Sequence, residues 1–480
     1  MMEMMLTPRR QNRSGVDILN QKKFHMPTAY TILFLLLILV AAATWIIPAG
    51  SYDYVDGVPV AGTYHTVEQN PQGVGDVLKA AFSGFYDAVD VCIFILMVGG
   101  FLGVVMKTGA VDAGVGNVIR LLGGREKWLI PILMLLSGLG GTTYGMWEET
   151  MAFYPLLIPV FLAAGYDAVV GISVILLGAG AGVIASTVNP FATGIAAGFA
   201  GVSLGEGIVL RLLEWVAFEA AAIWFVMAYA AKVKKNPSKS VVGVGAGKIQ
   251  VSMDQQVPFT AKRKVIMALF TLTFLIMVYA VVPFDEMGLS LPALGWWFPE
   301  LSALFLVAGV VIGLIDRMSE EELVETYVAG CADLLGVAFI IGISRGITVL
   351  MNDGAITDTV LHWGEQALSG AGAISFTLLV FALYLPLTIL IPSSSGLATL
   401  SIPIVAPLGK FAGVGGDLVV TAFQSASGLV NIITPTAAVV MGALALGHVP
   451  YDRWVKYVWK LILWFLLLAL AFLVAGVLLG

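Results

Sequence analysis

The chain has 480 residues, 59% of them hydrophobic and only 12% charged, and its mean hydropathy is +0.94. Several apolar runs reach the roughly 20 residues needed to cross a bilayer core, which excludes a soluble globular protein and predicts an all-α polytopic membrane protein. The net charge of −6 says little about partners, because in such a chain the placement of charges matters more than their sum.

Taken in chain order, residues 1–27 read as a cytoplasmic N-terminal segment. The apolar run 28–49 is longer than the roughly 7–15 residues of a signal-peptide core, so it is expected to be a retained helix. Further crossing helices are predicted near 89–108, 208–232, 264–283, 299–316, 334–351 and 454–479. Between them fall two apolar hairpins, 127–164 and 371–412, and two interrupted helices, 168–200 and 417–446. This divides the chain into a first membrane repeat (28–232), a cytoplasmic linker (233–263), a connecting helix and outer loop (264–298) and a second repeat (299–480). The short amphipathic segments 74–88, 112–123, 319–331 and 355–368 are expected to lie in the interface plane. Cys92 and Cys331 stand in or beside apolar runs at no metal-ligand spacing and read as small core residues. His25, His65, His362 and His448 fall in loops or at helix ends, where solvation is expected.

Hairpins that enter and leave on one side leave the crossing count unchanged. With the N-terminus inside and the C-terminus outside, all but Lys79, Arg211, Lys410 and Arg345 of the 25 basic residues are cytoplasmic, as the positive-inside rule requires. The halves also match each other: Met106-Lys107-Thr108-Gly109-Ala110-Val111 parallels Met351-Asn352-Asp353-Gly354-Ala355-Ile356. In this topology the first hairpin enters from the cytoplasm and the second from outside, which predicts inverted-topology repeats with substrate bound at their midplane interface.

Each half carries two polar, glycine- or proline-broken interruptions. The first has Gly140-Gly141-Thr142-Thr143-Tyr144-Gly145 with Glu148 and Glu149, then Ser186-Thr187-Val188-Asn189-Pro190. The second has Pro392-Ser393-Ser394-Ser395-Gly396, then Ser427-Gly428-Leu429-Val430-Asn431 followed by Thr434. Backbone groups freed at membrane depth survive only where they are buried in protein or line a wet cavity. The hairpin Gly141–Thr150, the Ser186–Pro190 break and the Pro392–Gly396 tip resemble the anaerobic C4-dicarboxylate carrier family, and within it the branch of basic amino acid antiporters. That resemblance covers nearly the whole chain and implies a secondary transporter of small carboxylates or amino acids. It also implies an elevator-type architecture and a homodimer.

Half-helix N-termini carry partial positive charge, so the segments after Gly145, Pro190, Gly396 and Gly428 suit a substrate carboxylate. The candidate substrate-binding residues are Thr142, Thr143, Tyr144, Glu148, Glu149, Asn189, Arg345, Ser393, Ser394, Ser395, Asn431 and Thr434. Candidate ion ligands are Ser186, Thr187, Asn189, Ser427 and Asn431, with the coupling ion open. Glu148 and Glu149 have no counterpart in the second hairpin, and two adjacent acids at this depth call for a cation. Arg345, mid-helix, is expected either to hold a substrate carboxylate or to neutralise Glu148, Glu149 or Glu219. Glu214 and Glu219 read as structural or proton-accepting groups. No nucleophile constellation, phosphate loop, metal cluster or nucleotide-binding domain is present in the sequence, so no cofactor, nucleic acid or enzymatic activity is expected. The expected activity is arginine/ornithine exchange in the bacterial inner membrane, with sodium- or proton-coupled C4-dicarboxylate transport as the alternative.

Overall fold

The computed structural model describes residues 29–243, 258–281 and 291–479 except 112, 115–116, 118–124, 204 and 293. The N-terminal segment with His25, most of the 112–123 stretch and much of the linker lie outside the described residues. In chain order the first half forms α1 (Ala29–Ala43), α2 (Val74–Asp87), α3 (Val89–Lys107), α4 (Leu129–Tyr144), α5 (Tyr154–Ala163), α6 (Ala168–Ile184), α7 (Ile195–Ala200) and α8 (Ile208–Lys235). The second forms α9 (Ala261–Val281), α10 (Phe298–Asp316), α11 (Glu320–Asp353), α12 (Thr357–Leu368), α13 (Ala373–Leu390), α14 (Ser394–Phe411), α15 (Gly416–Asn431), α16 (Ala438–Leu446) and α17 (Tyr451–Leu479). Five of these, α3, α10, α11, α13 and α17, are long and apolar enough to cross a membrane.

The repeats are visible in how equivalent helices meet. α2 and α3 run almost end to end, broken only at Ala88 (φ −115°, ψ 21°), and their counterpart in the second half is the single 34-residue helix α11. Gly84 lies against the backbone of Gly342 and Gly346, while Gly330 lies against Gly99 and Gly100. The low-numbered end of one therefore meets the high-numbered end of the other. Equivalent helices running antiparallel are the geometric content of an inverted repeat, and the glycines permit the close backbone approach typical of membrane helix pairs.

This corrects two expectations. Segment 319–331 is not a separate interfacial helix but the opening of α11, where Ser319 caps the end (Glu322 N to Ser319 Oγ, 3.2 Å) and no glycine or proline run breaks the helix before it becomes apolar. Segment 74–88 is not flat in the interface either, because α2 packs along α11, burying Val77, Ala80, Ala81 and Gly84. α10 lies on α3 and α9 on α10, joined by an aromatic cluster that includes Phe101, Phe270, Phe274 and Phe305.

α1 ends at Ala43 rather than 49, because the Thr44 hydroxyl turns back to Ala41 O (2.6 Å) and the chain enters two small antiparallel ladders. β1 (Gly50–Ser51) pairs with β4 (His65–Thr66), and β2 (Tyr54–Val55) pairs with β3 (Val58–Pro59). Asp56-Gly57, at φ 51° and 77°, supplies the turn between β2 and β3. This strap grips α12: the Tyr52 hydroxyl donates to Glu365 (2.8 Å) and Tyr54 to Asp358 (2.8 Å). His362, expected to be solvated, is stacked on Tyr64 at 4.0 Å and hydrogen-bonded to Glu365 at 3.0 Å. The ring is amphipathic, so a neighbouring tyrosine face and a carboxylate compete well with water for it.

The remaining helices form a body around the two interrupted helices. α4 and α5 make the first hairpin and pack on α6, α13 and α14 make the second and pack on α15, and α6 and α15 pack on each other. Every residue of α6 is buried, as are nearly all of α15; α6, apolar all round, belongs at the centre, and α15 is buried beside it although it carries Gln424, Ser425 and Ser427. Asp167 caps α6 through Val170 N (3.0 Å) and also accepts from Tyr229 (2.5 Å) and Ser240 (2.7 Å). Asp167→Ala is expected to lower stability by about 2 kcal/mol through the lost cap and two hydroxyls left without their acceptor. Asp167→Asn should lose less, and thermal unfolding in detergent measures both.

Candidate functional site

The first hairpin tip is shaped by Gly145. It ends α4 in the left-handed region (φ 77°), and a side chain there would collide with Asn189 of the first helix break. Two requirements thus meet at one glycine. The chain then forms a 3-10 turn, Glu148–Ala152. The second tip is built differently: Ser393 caps α14, accepting from Gly396 N at 3.2 Å, and Ser394, the first residue of α14, lines the cavity described next.

These tips converge on a cavity of about 50 Å³. Its lining includes Trp147 and Glu148 from the first hairpin, Pro392 and Ser394 from the second, Asn431 and Thr436 at the second helix break, and Ser344 and Arg345 of α11. Of the twelve candidate substrate residues, Glu148, Arg345, Ser394 and Asn431 are brought together here. Glu148 and Arg345 interact electrostatically across the site. Glu149 does not face it: the side chain is 7% exposed and its Oε2 accepts from Trp147 N at 3.1 Å, closing its own turn. One residue of helix rotation separates the roles of the two acids.

Several other candidates make hydrogen bonds within the protein. Thr142 donates to Ala185 O (2.8 Å), and Thr187 returns its hydroxyl to Thr142 O (3.0 Å), stitching the first hairpin to the first break. Thr143 donates to Leu139 O of its own helix, and Tyr144 ends α4 with its side chain outside the described residues. Asn189 Oδ1 accepts from Ala192 N (3.3 Å). Ser395 approaches Ser393 at 3.5 Å, and Thr434 pairs with Thr436 at 2.8 Å. None of these lines the cavity.

The freed backbone of the second break is also accounted for. Trp454 Nε1 donates to Ile432 O (3.1 Å), Tyr451 to Ile433 O (2.8 Å) and Ser344 to Thr436 O (2.6 Å). That accounting is what permits an open helix at membrane depth. Where the two interrupted helices cross, Gln424 Nε2 donates to Val183 O (2.7 Å) and Gly428 lies on Ile184. There the hydroxyls of Ser186 and Ser427 and the Gln424 Oε1 are buried with no protein partner.

Arg345 also has a partner outside the expected set. Its ion pair is with Asp87 at the end of α2, at 3.9 Å. Of Glu148, Glu149 and Glu219, only Glu148 shares its cavity. Asp87, Ser344 and Thr436 were not among the candidate residues. Ser344 adjoins Arg345 and shares its depth, a signal that was available; nothing local to Asp87 indicates a partner 258 residues away.

The family model described as the C4-dicarboxylate anaerobic carrier matches residues 26–478. An uncharacterized protein of Haemophilus influenzae is 35% identical, over 95% of this chain and 98% of its own length. YfcC of Escherichia coli K12, provisionally described as a basic amino acid antiporter, is 30% identical over 91% of this chain and 93% of its own. Among solved structures, the YdaH transporter of Alcanivorax borkumensis aligns at TM-score 0.42 and 15% identity, covering 93% of this chain and 98% of that one. MtrF of Neisseria gonorrhoeae, described among antimetabolite efflux pumps, aligns at 0.41 and 18%, covering 93% and 94%. With two broken helices, two hairpins and a family match running almost from end to end, this multi-pass bacterial membrane protein belongs to the C4-dicarboxylate anaerobic carrier family of transporters.

Proposed function

We propose that this carrier is an inner-membrane antiporter of basic amino acids, with arginine/ornithine exchange as its reaction. The observation that carries the reading is the presence of Glu148 and Arg345 in the lining of one cavity. A basic amino acid presents a carboxylate and a side-chain cation. Arg345, Ser394 and the N-terminus of α14 suit the first, and Glu148 suits the second. Exchange of two equally charged cations moves no net charge across the membrane potential. The provisional description of YfcC points the same way.

A cavity of about 50 Å³ is far smaller than the roughly 300–1,000 Å³ of small-molecule sites. Binding therefore requires a hairpin tip to withdraw. Movement of the hairpin body against the α2–α3–α11 scaffold, in an elevator manner and within a homodimer, belongs to the same proposal, as does a cytoplasmic N-terminus. The unpartnered Ser186 and Ser427 hydroxyls suit a cation at the crossing of the two breaks, with Thr187, Asn189 and Asn431 nearby in sequence.

C4-dicarboxylate transport is the competing reading, favoured by the family's description and by Arg345 beside Ser394. Counterflow separates the two. Ornithine-loaded proteoliposomes are expected to accumulate labelled arginine, and succinate-loaded vesicles to leave labelled succinate outside. Succinate exchange without arginine exchange overturns the assignment.

A further inference from the structure

A second acidic position lies outside the substrate cavity. Glu219, in the middle of α8, is 2% exposed, and both carboxyl oxygens are buried without a protein partner. It lies directly against α4, the first arm of the hairpin whose tip carries Glu148. A Cβ built on Gly138 of α4 would meet its Oε2 and stand 2.8 Å from its Cδ. The same Gly138 presents its carbonyl to Gly182 of α6, so hairpin arm, broken helix and carboxyl meet at one glycine.

Among the described residues the surroundings offer no counter-charge. α6 has no ionisable residue, α4 has none before its last residue, Tyr144, and α17 has none beyond Lys460. α17 meets this level of α8 through Phe465, whose ring lies 4.7 Å from Phe218. On α8 itself the nearest charges are Glu214 and Arg211. They belong to a separate arrangement, in which Glu214 accepts from Ser425 at 2.8 Å and interacts electrostatically with Arg211. An ionised carboxylate stripped of water and partners costs several kcal/mol, whereas the neutral acid costs the much smaller price of an unpaired polar group. A metal ion is a poor occupant: magnesium and calcium take about six or more oxygens, and no group of three or more His, Cys, Asp or Glu suited to a metal occurs among the described residues.

We propose that Glu219 is a proton-binding site of the transport cycle, holding a proton while the first hairpin arm is closed on it and releasing it to water when that arm moves away. No covalent chemistry is involved. One proton is bound on closure and one released on opening, and both come from or go to solvent. The site gives the carrier a mode beyond the exchange of like charges, in which a proton gradient drives net movement of substrate.

The test begins by identifying through counterflow whether arginine or succinate is exchanged, so that failure of the substrate assignment leaves this proposal standing. With that substrate, an imposed pH gradient is expected to drive net accumulation in wild-type proteoliposomes. Glu219→Gln, which mimics the protonated acid, is expected to keep counterflow while its gradient-driven accumulation falls by at least roughly tenfold, a difference well outside a mild stability effect. A wild-type protein indifferent to the gradient overturns the proposal, as does a glutamine variant equal to wild type in both modes. If the glutamine variant does not fold, Glu219→Asp replaces it. The shorter acid is expected to shift the pH profile of net uptake, and an unshifted profile overturns the proposal.

Discussion

Glu148→Gln is expected to reduce arginine uptake by about two orders of magnitude or more, whereas Glu149→Gln is expected to retain most of it. The two residues are adjacent, equally acidic and part of one 3-10 turn, yet only Glu148 lines the cavity. Removing one partner of a desolvated, hydrogen-bonded charge pair costs about 2–5 kcal/mol, or roughly 30- to several-thousand-fold in affinity. Glu149 contributes an acceptor to Trp147 N, and a glutamine oxygen can accept there too, so its replacement should lower thermal stability by only about 1 kcal/mol. Initial uptake rates in proteoliposomes, with monodispersity checked in detergent, measure the contrast. Equal loss in both variants would mean that the turn as a whole, rather than one carboxylate, is what transport needs.

Gly330→Val should be among the most damaging single substitutions in the scaffold. A side chain there would enter the backbone of α3 at Gly99 and Gly100, and backbone cannot step aside as a flexible side chain can. Overpacking typically costs about 1–3 kcal/mol and occasionally more, and this site belongs at the upper end or beyond. Gly84→Val, the same change on the other side of the inverted pair, should behave alike because its obstacle is the backbone of Gly342 and Gly346. Gly198→Ala is the control, since a Cβ there meets nothing within 4 Å. Membrane yield and unfolding temperature should fall sharply for the first two and stay near wild type for the third. A glycine at 330 that tolerates valine would show that α3 and α11 do not pack this closely.

Much of the site was legible in the chain because membrane physics leaves few reasons for polar residues at depth. Glu148, Arg345, Ser394 and Asn431 all stand out for that reason, and all four line one cavity. The same criterion also selected Thr142, Thr187 and Asn189, which spend their polar groups on the hairpin and the helix break. A local pattern shows that a hydroxyl or amide needs a partner. It does not show whether that partner is substrate or backbone. Asp87 gives no local signal because it sits at a helix end, where an acid is ordinary, and acquires meaning only from Arg345 in the other repeat.

By itself the amino-acid sequence determined the membrane class, the two hairpins, the two broken helices and the repeat, because apolar run length and glycine, proline and hydroxyl interruptions are local properties read against a bilayer of known thickness. Only the tertiary structure decided which of two neighbouring glutamates faces the cavity, that residues 319–331 continue into α11, and that Glu219 lies bare against Gly138. Those outcomes depend on helix rotation and on contacts between segments tens to hundreds of residues apart, where a turn of about 100° per residue moves a side chain from one environment to another.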